Sequence, residues 1–136
     1  MSDVLLMAKQ IQLNQTVQFQ HKYMVVTDLV DSEQWNKIIQ DSFVALKGIA
    51  VFKHSDTCSI SQMAYSRIQR NWKFNETELP FYLIEVKKNR PISNLISAEL
   101  NIQHESPQLF LIKNGVCIYN ESHGSINVKD LEQLVA

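Results

Sequence analysis

One short run constrains the fold of this chain more than any other, because residues 49–52 are apolar at every position. A strand with one face in water alternates apolar and polar residues, whereas an unbroken apolar run is typical of a strand covered on both faces. Gly48 comes directly before the run and closes the helical pattern ahead of it. The chain is therefore predicted to be an α/β protein, with a central sheet and helices on both faces.

Helical and strand patterns alternate on either side of this run. Apolar residues recur at helical spacing in four segments, at about residues 32–43, 60–72, 91–100 and 128–135. Strand patterns are predicted at residues 24–29, 49–52, 81–86, 108–112 and 116–119. The Asn114-Gly115 pair is a strong hairpin signal, so the last two strands should be antiparallel. The predicted order is β-α-β-α-β-α-β-β-α, in a mixed sheet.

Length, charge and cysteine content narrow the class of protein. The 136 residues suit one ordinary domain, and a net charge of −1 gives no strong attraction to nucleic acid or anionic membranes. No apolar run approaches the ~20 residues of a membrane-spanning helix, and two cysteines cannot form the disulfide framework of a small secreted protein. We therefore expect a monomer in the cytoplasm. Residues 1–22 are predicted to form an N-terminal arm with a short helix, and residues 23–136 are predicted to form the folded domain.

The most distinctive motif covers residues 52–61, where the buried strand ends, a short turn follows and Cys58 begins the next helix. Unpaired N–H groups and the helix dipole at a helix start stabilise negative charge. They favour the thiolate, which is the form of cysteine that attacks disulfides. Lys53 and His54 can add positive charge nearby, while Asp56 opposes it. The alternative is a structural cysteine that merely starts a helix.

A second feature lies just before the fourth strand, where Pro107 suits a strand's first position because it cannot donate a ladder hydrogen bond. In thioredoxin-like folds, a cis-proline at this point faces the cysteine at the helix start. It leaves the backbone of the preceding residue, here Ser106, free to pair with a bound thiol compound. We therefore predict a thioredoxin-like domain with a cis Ser106–Pro107 bond. The alternative is a trans proline that only limits the strand.

These motifs together resemble the monothiol bacilliredoxins, the YtxJ-like proteins of the bacillithiol system. The resemblance extends over residues 24–136 and rests on residues 52–61, 104–108, 111–115 and 122–123. The family's usual active-site stretch reads Thr-Cys-Pro-Ile-Ser; here Ser59 replaces the proline, which adds backbone freedom and one N–H group at the helix start. The resemblance implies a thiol-disulfide oxidoreductase that removes bacillithiol, its co-substrate, from S-bacillithiolated client proteins.

Position 61 bears on the chemical route. A dithiol oxidoreductase has its resolving cysteine there, whereas this chain has Ser61. A monothiol route remains, in which Cys58 takes the small thiol from the client and a second thiol releases it. Ser61 either donates a hydrogen bond to the Cys58 thiolate or caps the first helical turn. The predicted catalytic site consists of Cys58, Ser61 and Thr57, the residue next to the cysteine. Cys117, flanked by apolar residues, is expected in the core.

Residues predicted to contact the small thiol are Lys53, His54, Ser106, Pro107 and His123. The His123 loop follows the hairpin, where thioredoxin-like domains bind small thiols, although an exposed loop histidine is the alternative. Arg67 and Arg70 either contact an anion or form a solvated helix face.

No Cys-x-x-Cys pair supports a metal site. Two other functions stay open: a glutaredoxin-like iron–sulfur cluster carrier and a redox-inactive binding module.

Overall fold

Strands and helices alternate along residues 24–136, the part of the chain that the computed structural model describes. The strands are β1 (Thr27–Asp28), β2 (Ile49–His54), β3 (Phe81–Glu85), β4 (Gln108–Lys113) and β5 (Val116–Ser122). The α-helices are α1 (Ser32–Asp41), α2 (Ser59–Asn71), α3 (Arg90–Leu100) and α4 (Val128–Leu134), and a 3₁₀ turn spans His123–Ser125. The order matches the predicted one. The predicted N-terminal arm, residues 1–22, lies outside the described residues.

The five strands of this region form one mixed sheet in the order β1-β3-β2-β4-β5. β1 and β2 run parallel to β3, whereas β4 is antiparallel to β2 and β5 is antiparallel to β4. The register pairs Ile49 with Ile112 at one end of β2 and Lys53 with Gln108 at the other. The turn that leads to Cys58 and the segment that ends at Pro107 therefore leave the sheet at the same edge.

Helices cover both faces of the sheet, as the unbroken apolar run predicts. All six residues of β2 are buried, with Ala50 and Phe52 in one apolar cluster and Ile49 and Val51 in the other. α2 and α4 pack on the first cluster, and α1 and α3 pack on the second. Full burial of one large apolar side chain contributes about 1.5–3 kcal/mol, so a strand buried on both faces contributes strongly to the stability of the fold. None of the helices between residues 24 and 136 is long and apolar enough to cross a membrane.

Local signals account for several element boundaries. The Asp31 side chain caps α1 by accepting a hydrogen bond from the Gln34 N–H group at 2.9 Å. The Asn114-Gly115 turn has φ values of 53° and 78°, the left-handed backbone that an Asn-Gly hairpin turn requires. One prediction is wrong: α1 ends at Asp41 with Ser42 as its C-cap, so Gly48 does not close it, and Phe43 leaves the helical face to pack against the hairpin turn at Gly115.

Candidate active site

Cys58 is the N-cap residue of α2, directly after the turn that ends β2. Its N–H group donates to the carbonyl of Ser55 at 3.2 Å, and its own carbonyl accepts the Gln62 N–H group at 3.0 Å. The Cys58 side chain makes no capping hydrogen bond and is partly exposed. The first N–H groups of a helix have no intrahelical acceptor, so the sulfur lies beside donors that stabilise negative charge.

The segment before β4 lies at the same edge of the sheet. The Ser106–Pro107 peptide bond is cis, which confirms the prediction. The His123 N–H group donates to the Pro107 carbonyl at 3.1 Å, and the guanidinium of Arg67 donates to the His123 carbonyl at 3.1 Å. The structure therefore brings Pro107 and the His123 loop together, although nothing in the sequence joins them. The hydroxyl oxygen of Ser106 is buried and has no hydrogen-bond partner among the described residues.

Ser61 is fully buried in the first turn of α2. Its hydroxyl oxygen lies 2.6 Å from Nδ1 of His54 and accepts the Ser55 N–H group at 3.0 Å. Among the described residues, Ser61 makes no hydrogen bond to Cys58. The serine that replaces a resolving cysteine thus holds the turn between β2 and α2, which is closer to the capping role than to a contact with the thiolate.

His54 is buried beside aromatic rings. Its ring centre lies 5.5 Å from that of Phe52 and 5.1 Å from that of Tyr65. Burial lowers the pKa of His54 below its usual value of 6.5, although the carboxylates of Asp56 and Glu85 act in the opposite direction. Burial of the ring therefore works against the positive charge that the sequence predicts at this residue.

The turn that precedes Cys58 is held by the last residue of β3 and by the segment after it. The ammonium group of Lys87 donates to the hydroxyl oxygen of Thr57, and the N–H group of Asp56 donates to Oε1 of Glu85 at 3.2 Å. Thr57 itself is exposed next to Cys58. These contacts position the turn from outside and leave the cysteine accessible from solvent.

Comparison with known proteins identifies the family of this chain. The sequence model of the monothiol bacilliredoxin BrxC family matches residues 27–131, which include the Cys58 turn, Pro107 and the His123 loop. The chain belongs to the monothiol bacilliredoxin family.

Solved structures agree with this assignment. A protein described as an oxidoreductase with a thioredoxin fold is 34% identical, with a TM-score of 0.70, and the match covers 83% of this chain and 96% of that one. Mitochondrial thioredoxin 3 from Saccharomyces cerevisiae is 16% identical with a TM-score of 0.60, covering 84% and 96% of the two chains. Thioredoxin NaTrxh from Nicotiana alata is 21% identical with a TM-score of 0.59, covering 81% and 89%. The last two show the fold alone. With its family and fold, this bacilliredoxin is a thiol oxidoreductase of a bacillithiol-related thiol system.

The position of Lys53 differs from the predicted one. Consecutive residues of a strand face opposite sides of a sheet, so Lys53 faces α3 while His54 faces α2. Lys53 is fully buried, and its ammonium group lies within 3.1 Å of three polar atoms of Ser93, Ser97 and His104. The expected contact between Lys53 and the carboxylates of a small thiol is wrong, because no surface of this side chain reaches solvent. The alternation along β2 was the signal that could have excluded it.

Cys117 lies at the far end of the sheet from Cys58. It pairs with Ile112, which pairs with Ile49 at the start of β2. Its thiol donates to the Tyr119 carbonyl at 3.0 Å, and burial raises its pKa. The length of β2 separates the two ends by about 16 Å at the usual rise of a strand, well beyond the ~7 Å between Cα atoms that a disulfide spans. The side chain is partly buried against the core, as expected for a structural cysteine.

The two arginines of α2 differ. Arg67 is partly buried and holds the His123 loop, whereas Arg70 is exposed. Both line a surface groove of about 460 Å³ that runs along α2 from Ser59, the residue after Cys58. Among residues 24–136, no three His, Cys, Asp or Glu side chains are grouped as metal ligands.

Proposed function

We propose that this bacilliredoxin removes bacillithiol, or a similar small thiol, from S-thiolated proteins by a monothiol reaction at Cys58. The observation that carries the proposal is the position of Cys58, a partly exposed N-cap residue at the edge of the sheet where Pro107 also lies. We assign the reaction to a monomer in the cytoplasm, where small thiols are kept reduced.

The reaction consists of two thiol-disulfide exchanges. In the first, the Cys58 thiolate attacks the small-thiol sulfur of the mixed disulfide; a new S–S bond forms at Cys58, the client S–S bond breaks, and the client cysteine leaves as a thiolate that takes a proton from solvent. In the second, a free small thiol attacks the adduct as its thiolate. This step releases a disulfide of two small thiols and restores the Cys58 thiolate.

Two features of the site support this route. The N–H groups of the first turn of α2 stabilise the negative charge that Cys58 carries before the first step and after the second. Ser106 lies two residues before β4 begins at Gln108, so its backbone is outside the ladder and is available to pair with the amide of a bound thiol compound. The absence of a cysteine at position 61 and the remote position of Cys117 favour release by an external thiol.

The test is intact mass after incubation with bacillithiol disulfide and, separately, with glutathione disulfide. We expect one adduct on the wild-type protein, none on Cys58→Ala and one on Cys117→Ala. An adduct that persists in Cys58→Ala would contradict the assignment of the nucleophile. The relative yield from the two disulfides identifies the preferred small thiol. A brown protein after anaerobic purification would instead indicate an iron–sulfur cluster carrier.

A further inference from the structure

Lys53 is a buried lysine with a complete set of hydrogen-bond acceptors but no carboxylate partner. Its ammonium group donates to the Ser93 carbonyl at 2.9 Å, to the Ser97 hydroxyl at 2.6 Å and to Nδ1 of His104 at 3.1 Å. The group also lies 5.6 Å from the centre of the Phe110 ring. The ion pairs among residues 24–136 are made by other lysines, so no carboxylate in this region balances the charge of Lys53.

Burial of an unbalanced charge is unfavourable, and an apolar side chain would fill the same space at lower cost. What the lysine provides is a connection among three parts of the fold. Ser93 and Ser97 belong to α3, Lys53 belongs to β2, and His104 lies in the segment between α3 and β4. His104 is three residues before Pro107, so the connection ends beside the candidate active site.

A second side chain holds the same segment. Gln108 is buried; its amide nitrogen donates to the Gln103 carbonyl at 3.1 Å, and its amide oxygen accepts the Glu105 N–H group at 3.0 Å. Gln108 therefore holds residues 103 and 105 through their backbone, whereas Lys53 holds residue 104 through its side chain. The two anchors together restrict the segment that ends at Ser106.

We propose that Lys53 is a positioning residue for the substrate segment, residues 103–107, which it holds through His104 so that the Ser106 backbone faces a bound mixed disulfide. An ammonium group only donates, so Nδ1 of His104 must accept and its ring proton must be on Nε2. This contact selects one orientation of the ring, and with it the path of the backbone. The inference rests on the proposed function, because it assigns Ser106 a role in binding the substrate.

The arrangement is sensitive to pH. The charged or titratable groups that face Lys53 are Arg90 at the start of α3 and His104, whose ring is neutral when Nδ1 accepts from the ammonium, and Glu105 acts on His104. Burial, with a smaller effect of Arg90, lowers the pKa of Lys53 to about 8. A neutral amine has two N–H groups where the ammonium has three, so one of the three acceptors loses its donor above that pH. The segment should then become less ordered as pH rises through 8.

Amide hydrogen exchange of residues 103–106 tests the anchor without depending on activity. The variants are Lys53→Met and His104→Ala, and the matched control is Lys47→Met, a lysine that also lies 5.6 Å from an aromatic ring but near the start of β2. We expect exchange about tenfold faster in both test variants and unchanged in the control, since loss of an anchor raises the population of local opening. Equal exchange in wild type and both test variants would overturn the inference, and His104→Ala decides the matter should Lys53→Met fail to fold.

Steady-state release of the small thiol from an S-thiolated protein separates positioning from chemistry. For Lys53→Met at pH 7 we expect KM to rise about tenfold and kcat to change less than about threefold, because misplaced binding groups weaken substrate orientation while Cys58 is intact. The ratio of wild-type KM to variant KM should rise toward one between pH 7 and 9. An unchanged KM, or a ratio that does not vary with pH, contradicts the inference. Inactive wild-type protein would instead contradict the proposed function, and the exchange experiment would still decide whether Lys53 holds the segment.

Discussion

The two cysteines of this bacilliredoxin lie at opposite ends of β2 in different environments. Cys58 is the N-cap residue of a helix, is partly exposed and adjoins unpaired N–H groups. Cys117 lies within an antiparallel strand, and its thiol donates a hydrogen bond to a backbone carbonyl. Burial raises the pKa of Cys117, so its thiol stays protonated at neutral pH. The same side chain is thus the proposed nucleophile in one position and a packing group in the other, and the backbone around each sulfur makes the difference.

The largest expected effect separates the two cysteines directly. Cys58→Ala should lower the rate of small-thiol release by about a thousandfold or more while the fold stays intact, because the variant lacks the attacking sulfur. The rate is measured by mass spectrometry of an S-thiolated client, and the fold by circular dichroism. Activity close to that of the wild type would show that the Cys58 end of the sheet is not where the exchange occurs.

The charge of Lys53 offers a second test, because this buried lysine lies at the end of β2 that leads to Cys58. The pKa of Lys53 is about 8 in the folded state and 10.5 when unperturbed, so the unfolded chain binds more protons between these values. The free energy of unfolding should therefore rise with pH across this window, by up to about 3 kcal/mol relative to Lys53→Met. Urea titrations at pH 7 and 10.5 measure the difference. A pH-independent difference would mean that Lys53 is not buried as a charged group.

The turn before Cys58 supplies a third test. Ser61→Ala leaves Nδ1 of His54 and the N–H group of Ser55 without a partner inside the protein, which should cost about 2 kcal/mol of stability. Ser66→Ala changes an exposed serine on the same helix and should stay within about 0.5 kcal/mol of the wild type. Chemical denaturation measures both values. Equal stability of the two variants would contradict the anchoring role of Ser61.

A smaller effect is expected at the other cysteine. Cys117→Ala should leave the rate of small-thiol release within about twofold of the wild type and lower the free energy of unfolding by about 1 kcal/mol, since a partly buried sulfur is lost from the core. The same release assay and denaturation experiment apply. A loss of activity comparable to that of Cys58→Ala would favour a dithiol route and would require the two ends of the sheet to approach each other.

The smallest effect concerns the residue after Cys58. Ser59→Pro restores the residue usual in the family at the first position of α2, where proline fits the helix and needs no N–H partner. Stability should rise by about 0.4–1 kcal/mol through a more restricted unfolded chain, and the exchange rate should change less than about threefold. A tenfold fall in rate would show that the Ser59 N–H group contributes strongly to the stability of the thiolate.

Several features of the fold and site were predictable because they depend on neighbouring residues. The apolar run of β2 required cover on both faces, the Asn114-Gly115 pair predicted the hairpin, and Cys58 was placed at a helix start. The resemblance carried by the motifs also predicted the family that the comparisons confirm. The prediction for Lys53 failed because neighbouring residues of a strand face opposite sides of the sheet. Lys53 and His54 were both expected near the sulfur, yet Lys53 packs against α3, whereas His54 packs against α2, the helix that Cys58 caps.

By itself, the sequence determined the order of the elements and the position of Cys58 at a helix start, since periodicity, turn residues and caps act over a few residues. Only the tertiary structure decided which distant groups meet. The contacts of Lys53 with Ser97 and His104, and of His123 with Pro107, join residues from different elements. Such contacts depend on how helices and loops pack on the finished sheet, and no local pattern in the chain records that packing.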